Sequence, residues 1–189
     1  DRESPTEGSA PLQFDSIRLI DRRSMPEDTD GTVRVTMRSP SDEVLASRHV
    51  PDTVVVSESN DEVSFVTARL PFPDRAVEFR AERHGEVTVL NPIVRPIRDA
   101  IGRIPDRGFR EEPEESRVVV AERLTSVESR MEEAAYGSAA EALLTLGELL
   151  REIVRDPYEA NADQPERGEV EHLVERMYAR LEGIAGSDP

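Results

Sequence analysis

The chain has 189 residues, with 40 Asp or Glu against 24 cations, every one an Arg, for a formal net charge of −16; Cys and Trp are absent and aromatics make up 4%. This balance excludes wrapping of nucleic acid, which draws its affinity from cations neutralising phosphates, and docking on anionic lipid. No thiol is present for a disulfide, a metal site or a nucleophile, and no apolar run nears the about 18 residues of a membrane span.

Residues 1–11, which open with DRESPTEGSA, are polar and rich in Ser, Pro and Gly, and are expected to be a disordered leader. The chain starts at Asp1 rather than Met, so a trimmed precursor or an expressed fragment is expected. From 12 to 90 the hydrophobic period is two. Strands are predicted at 12–21, 32–38, 43–47, 53–57, 62–70, 76–83 and 86–90, separated by turn clusters such as EDTDG, SPSD, SESND and PFPD. Val33, Val35 and Met37 alternate with Arg34, Thr36 and Arg38; Val77, Phe79 and Ala81 are placed inward, as are Val87 and Val89 after a tight His84-Gly85 turn. Seven short strands in one run predict an antiparallel β-sandwich of immunoglobulin or fibronectin-III type over 12–91.

The period then changes. Asn91-Pro92 starts a helix whose stripe is Ile93, Ile97, Ile101 and Ile104, although Pro96 can shift its first turn. This connector helix and the charged segment 106–116, with Phe109 its one large apolar residue, make up 92–116. Three helices follow as an antiparallel bundle over 117–186. The first carries Val120, Leu124, Val127 and Met131, and Gly137 is expected to break it. Ser138 with Glu141 then reads as a capping box for a helix bearing Ala139, Leu143, Leu146, Leu150 and Ile153. Pro165 opens the third, with Val170, Val174, Met177, Leu181 and Ile184, closed by Gly186. The expected class is therefore α+β in two parts, a seven-stranded sandwich followed by helices.

Residues 118–156 and 169–186 resemble a helical module of the FIMAH type, found near the C-termini of large secreted bacterial and archaeal proteins. The resemblance rests on Leu124, Val127-Glu128, Ala135-Tyr136-Gly137, Ala140, Leu143 and Leu146, and on the closing Ala-Gly. Residues 70–109 look like the end of a fibronectin-III-like sandwich and its connector. These motifs are packing and turn residues, so the resemblance implies an accessory region and no chemistry.

The charge is dispersed: 1–113 carry 22 acids and 16 Arg, while 114–186 carry 17 acids and 8 Arg. A compact chain of this mass exposes roughly 9,000 Å², or one net negative charge per about 560 Å². Such a surface repels itself in dilute buffer and is screened in molar salt, where the Debye length falls to about 3 Å. Together with the absence of Lys, this points to a halophile; the rival reading is an acidic protein from a GC-rich genome that favours Arg codons.

Candidate sites are few. His49, His84 and His172 lie far apart, whereas zinc needs three or four converging ligands. Glu169-x-x-His172 has di-iron spacing but no second copy, so a solvated helix face is expected. Asp28-Thr29-Asp30-Gly31 lacks a calcium loop's other ligands, since Pro26 and Met37 stand in their places. Asp156, Glu159, Asn161 and Asp163 form a weak candidate Ca²⁺ site of hard oxygen donors, and Asp52 or Asp61 offer others; plain surface acids are the alternative. Motifs for nucleophilic, P-loop and zinc-protease chemistry are absent, and paired Glu residues are not diagnostic in so acidic a chain. The one locally basic set is Arg95, Arg98, Arg103, Arg107 and Arg110, expected either to dock the acidic helical part or to form local ion pairs.

No reaction is implied. The leading expectation is a non-catalytic region of a haloarchaeal secreted or cell-surface protein, spacing or docking a larger partner such as a hydrolase or another part of a longer precursor. The alternative is a self-associating subunit of a surface filament or coat, joined by strand donation from the leader to a sheet edge. A carbohydrate-binding module is disfavoured, because Trp is absent and all three Tyr lie in the helical part.

Overall fold

A computed structural model of the chain describes residues 31–51, 53–56, 62–155 and 166–187. Among these described residues six strands come first: β1 (Val33–Arg38), β2 (Val44–Val50), β3 (Thr53–Val56), β4 (Glu62–Phe65), β5 (Glu78–Arg83) and β6 (Glu86–Leu90). They form one antiparallel four-stranded sheet in the order β2-β1-β5-β6, and β3 pairs with β4 as a separate hairpin. The fold is therefore α+β with an open sheet, and the expected seven-stranded fibronectin-III-like sandwich is corrected. The predicted strand at 12–21 and the leader lie outside the described residues.

The reason is visible between β4 and β5. The predicted strand 62–70 ends at Phe65, and 66–77 run on without ladder pairing. Pro71 and Pro73 have no amide donor and a fixed φ, so this stretch cannot become a central strand. It lies instead against the sheet: Val66, Ala68, Leu70 and Phe72 pack on Val33, Val35, Met37, Val50, Ala76, Phe79 and Ala81. An irregular strap does the covering that a second sheet would do in a sandwich.

The β5–β6 turn fixes a second correction. His84 and Gly85 have φ of 51° and 84°, the paired left-handed conformation that suits the twist of a two-residue hairpin. With Arg83 opposite Glu86, the pairs Ala81–Thr88 and Phe79–Leu90 follow on the inner face. Val87 and Val89 therefore point outward and are each 49% exposed, contrary to the alternation read from sequence. Turn length sets strand parity, and parity overrides the apolar pattern.

Four helices follow: α1 (Val94–Gly102), α2 (Pro113–Glu132), α3 (Tyr136–Ile153) and α4 (Glu166–Ala185), with a short 3-10 turn at Asp106–Gly108. Asn91 starts α1, its Oδ1 accepting the Ile93 and Val94 amides at 2.9 and 3.1 Å. Pro96 stands one residue past the first helical bond, Arg95 N–H to Asn91 O at 3.0 Å, so α1 forgoes the next bond of its ladder. Pro113 opens α2 with Glu114 and Glu115 in the first turn, a favourable placement against the helix dipole.

The α2–α3 break lies at 133–135 and not at Gly137. Ala134 takes φ 58°, and the Ala135 amide returns to the Arg130 carbonyl at 2.8 Å. Gly137 and Ser138 consequently sit inside α3, so the expected capping box is not formed.

α3 packs between α2 and α4, and α1 packs against both α2 and α4. The four helices share one core: Ile93, Val94, Ile97 and Ile101 pack with Leu124, Leu143, Leu146, Leu150, Met177 and Leu181. The connector is thus a structural member of the helical body. Phe109 is buried too, bridging antiparallel to Val154, while Arg117 stacks over its ring at 4.9 Å. Gly147 admits α4 closely: a Cβ there would lie 3.3 Å from Val174 Cγ1.

Candidate functional site

The most built feature is the joint between sheet and helices. Pro71-Phe72-Pro73-Asp74 crosses from one to the other; Ala76 N–H donating to Pro73 O (3.0 Å) closes its turn, and Val77 N–H donating to Arg38 O (2.9 Å) ties the segment to β1. The Phe72 ring touches both apolar cores. Arg180 of α4 closes on it from the other side. Its Nη1 donates to the Pro73 carbonyl at 2.6 Å, its Nη2 to the Phe72 carbonyl at 2.7 Å, and its guanidinium lies 3.8 Å above the Phe72 ring. A planar fork matches two adjacent carbonyls and one aromatic face in a way no ammonium can.

Burial lowers the Arg180 pKa below the usual guanidinium range, while Asp74 raises it and Arg176 lowers it further. The Asp74 contact spans 3.6 Å, but its side chain is 99% exposed and adds little. A second tie runs from Asn91 Nδ2 to the Met131 sulfur at 3.3 Å.

The predicted basic set divides. Arg98 pairs with Glu128 of α2 at 2.8 Å and Arg103 with Glu169 of α4 at 2.7 Å, so two of the five reach across α1's packing partners. Arg95 pairs within its own helix with Asp99 at 2.8 Å. Arg107 and Arg110 are exposed, and the Arg110 amide donates to Ile153 O at 2.8 Å. These pairs are part-exposed and each contributes under about 1 kcal/mol.

His49 sits on β2, His84 in the hairpin turn and His172 on the exposed side of α4, while Glu169 is taken by Arg103. Among the described residues no three His, Asp or Glu gather where a metal ion would be held, and no helix is long and apolar enough to cross a membrane. The candidate Ca²⁺ ligands Asp156, Glu159, Asn161 and Asp163 lie outside the described residues, as do Asp28, Asp30, Asp52 and Asp61.

Between α3 and α4, Leu144, Arg151, Val174, Glu175 and Tyr178 line a depression of about 100 Å³, well below the roughly 300 Å³ at which small-molecule pockets begin. Tyr178 donates to Glu182 there, and that hydrogen bond raises its pKa above 10.0, with desolvation and the charges of Glu182 and Glu141 adding.

Arg180 and Phe72 were not singled out in the sequence, yet a signal exists. Leu173, Met177, Arg180 and Ile184 run at spacings of 4, 3 and 4, so Arg180 occupies a place in an apolar stripe.

No family model matches the chain, and neither does any curated protein or solved structure.

Proposed function

We propose that this chain is a non-catalytic interaction region of a halophilic extracellular or cell-surface protein, one that spaces or docks a larger partner such as a hydrolase. The observation that carries the reading is the Arg180–Phe72 joint. A spacer must transmit a fixed geometry, and inter-domain contacts that are small and wet leave domains free to move. Here two charge-assisted hydrogen bonds and a stacked ring tie the sheet to the helices across 107 and 108 residues of sequence. The dispersed acidic surface supports a setting in strong salt, and the FIMAH-type resemblance of 118–156 and 169–186 supports a place in a larger exported protein.

The test is made on the whole gene product in its own host. Deletion of 31–187 should release the rest of the protein from its partner or surface while leaving any activity of that remainder intact. Retention unchanged by the deletion would refute the docking role. A chain that stays folded on dialysis below roughly 0.5 M salt would remove the halophilic setting.

The exposed valines of edge strand β6 favour a second reading, in which the chain is a self-assembling surface subunit joined by strand donation from its leader. That reading requires large particles at molar salt that vanish when residues 1–11 are deleted.

A further inference from the structure

We propose that β6 is a two-fold contact between copies of this chain, joining two four-stranded sheets into one of eight. The inference does not depend on the first reading above, and it competes with strand donation from the leader for the same edge. It begins from the difference between the sheet's two edges. β2 is blunted: its register shifts between Met37 and Arg38, it carries Arg48 and His49, Arg48 reaches over to the Arg69 carbonyl at 3.2 Å, and Pro51 follows directly. Bulges, charges and proline are the devices by which proteins keep sheet edges from pairing. β6 has no bulge and no proline, and its one charge, Glu86, stands at the turn end of the strand. Its register with β5 is regular from Arg83↔Glu86 to Phe79↔Leu90, its five residues are Glu-Val-Thr-Val-Leu, and no strand among the described residues lies on its outer side.

Backbone alternation shows what this edge presents. Arg83 and Glu86 close a two-residue turn and exchange both backbone bonds, so Thr88 does the same with Ala81 two residues on. The amides and carbonyls of Val87 and Val89 are then the ones directed away from β5. Their side chains stand on the outer face at 49% exposure each.

An antiparallel copy centred on Thr88 satisfies all of this at once. Val87 comes opposite the partner's Val89 and exchanges both outward backbone bonds with it, and the reverse pair follows by symmetry. On the outer face each row reads Glu82, Val87, the partner's Val89, the partner's Arg80, because Glu82 pairs with Val87 and Arg80 with Val89 in β5. Four valines form a strip flanked at each end by charges of opposite sign. Glu86 falls opposite the partner's Leu90 and not opposite another carboxylate, so the register avoids like-charge pairing. A contact that is its own complement closes at two copies; with β2 blunted, growth into a filament through sheet edges is not expected.

Two bodies of net charge −16 repel, so association should strengthen with salt. Sedimentation equilibrium in about 3 M NaCl at up to roughly 100 μM chain should give about twice the 21.1 kDa of one chain. Hydrogen exchange should show the Val87 and Val89 amides gaining protection of tenfold or more as concentration rises, about 1.4 kcal/mol per tenfold, with Thr88 unchanged. Val89→Pro removes one outward donor, and the Val87→Arg/Val89→Arg pair leaves the backbone intact but places cations across the strip. Each should be monomeric with unchanged circular dichroism. If Val89→Pro disturbs the fold, the double Arg variant decides alone. A wild-type chain that is monomeric throughout overturns the proposal. So does a dimer that survives the double Arg variant or leaves both amides unprotected.

Discussion

Replacing Arg180 by Ala removes the two bonds to the Phe72 and Pro73 carbonyls and the stacked guanidinium together, and leaves the neighbouring helix core untouched. A hydrogen bond from a charged donor contributes about 1.5 kcal/mol or more net, and a partly desolvated cation–π contact about 1 kcal/mol. The Asp74 pair adds close to nothing, since that carboxylate is 99% exposed. The freed carbonyls recover some hydration, so the expected cost is about 3 kcal/mol rather than the full sum. For a chain of this size that lowers Tm by roughly 6–12 °C.

Arg180→Lys keeps the charge but loses the fork and the flat face, and should recover less than half of the loss. The assay is thermal unfolding of the three proteins at one high salt concentration, with the infrared amide bands of sheet and of helix followed together, and urea midpoints giving the free-energy change. In the Ala variant the two signals should separate, because the sheet loses its principal tie to α4. A variant within about 0.5 kcal/mol of wild type, or a Lys variant equal to wild type, would show that the joint does not hold the two halves together.

Asn91→Ala should cost about 1 kcal/mol by exposing the first amides of α1, and Asn91→Asp should restore most of it, as read from urea midpoints. Gly147→Ile should cost about 2–3 kcal/mol and push α3 from α4, since even a Cβ at that site stands 3.3 Å from Val174 Cγ1. The raised pKa of Tyr178 means that its neutral form is favoured in the folded chain: that contribution is complete below 10.0 and is lost as pH rises through the folded value. Glu182→Gln should therefore move the Tyr178 titration, followed by ultraviolet absorbance, back toward 10.0. Arg98→Ala with Arg103→Ala should cost under about 2 kcal/mol in low salt and less in molar salt, measured by thermal unfolding, because both pairs are part-exposed.

The helical half was legible because its signals are local. Val120, Leu124, Val127 and Met131 repeat at the helical period, and they are the residues that α2 buries with Ser116. The same holds for Leu143, Leu146 and Leu150 in α3. The break between those helices was misplaced because Ala134, a residue with no preference for positive φ, adopts it under the packing of α3. The candidate site was the least legible part. Arg180 binds carbonyls more than a hundred residues away, and no spacing within α4 names them.

Charge, the absence of Lys and Cys, and the periods of two and then 3.6 follow from the residue string alone, because each is a count or a local repeat. Whether alternating strands close into a sandwich does not, since a period of two specifies a buried face and leaves open what buries it. In this protein the prolines at 71 and 73 turn the covering segment into a strap, and a two-residue turn puts Val87 and Val89 on the outside. The strap's meeting with Arg180 and the open edge of β6 arise only when distant segments are brought together, which is why the joint and the edge had to be seen in three dimensions.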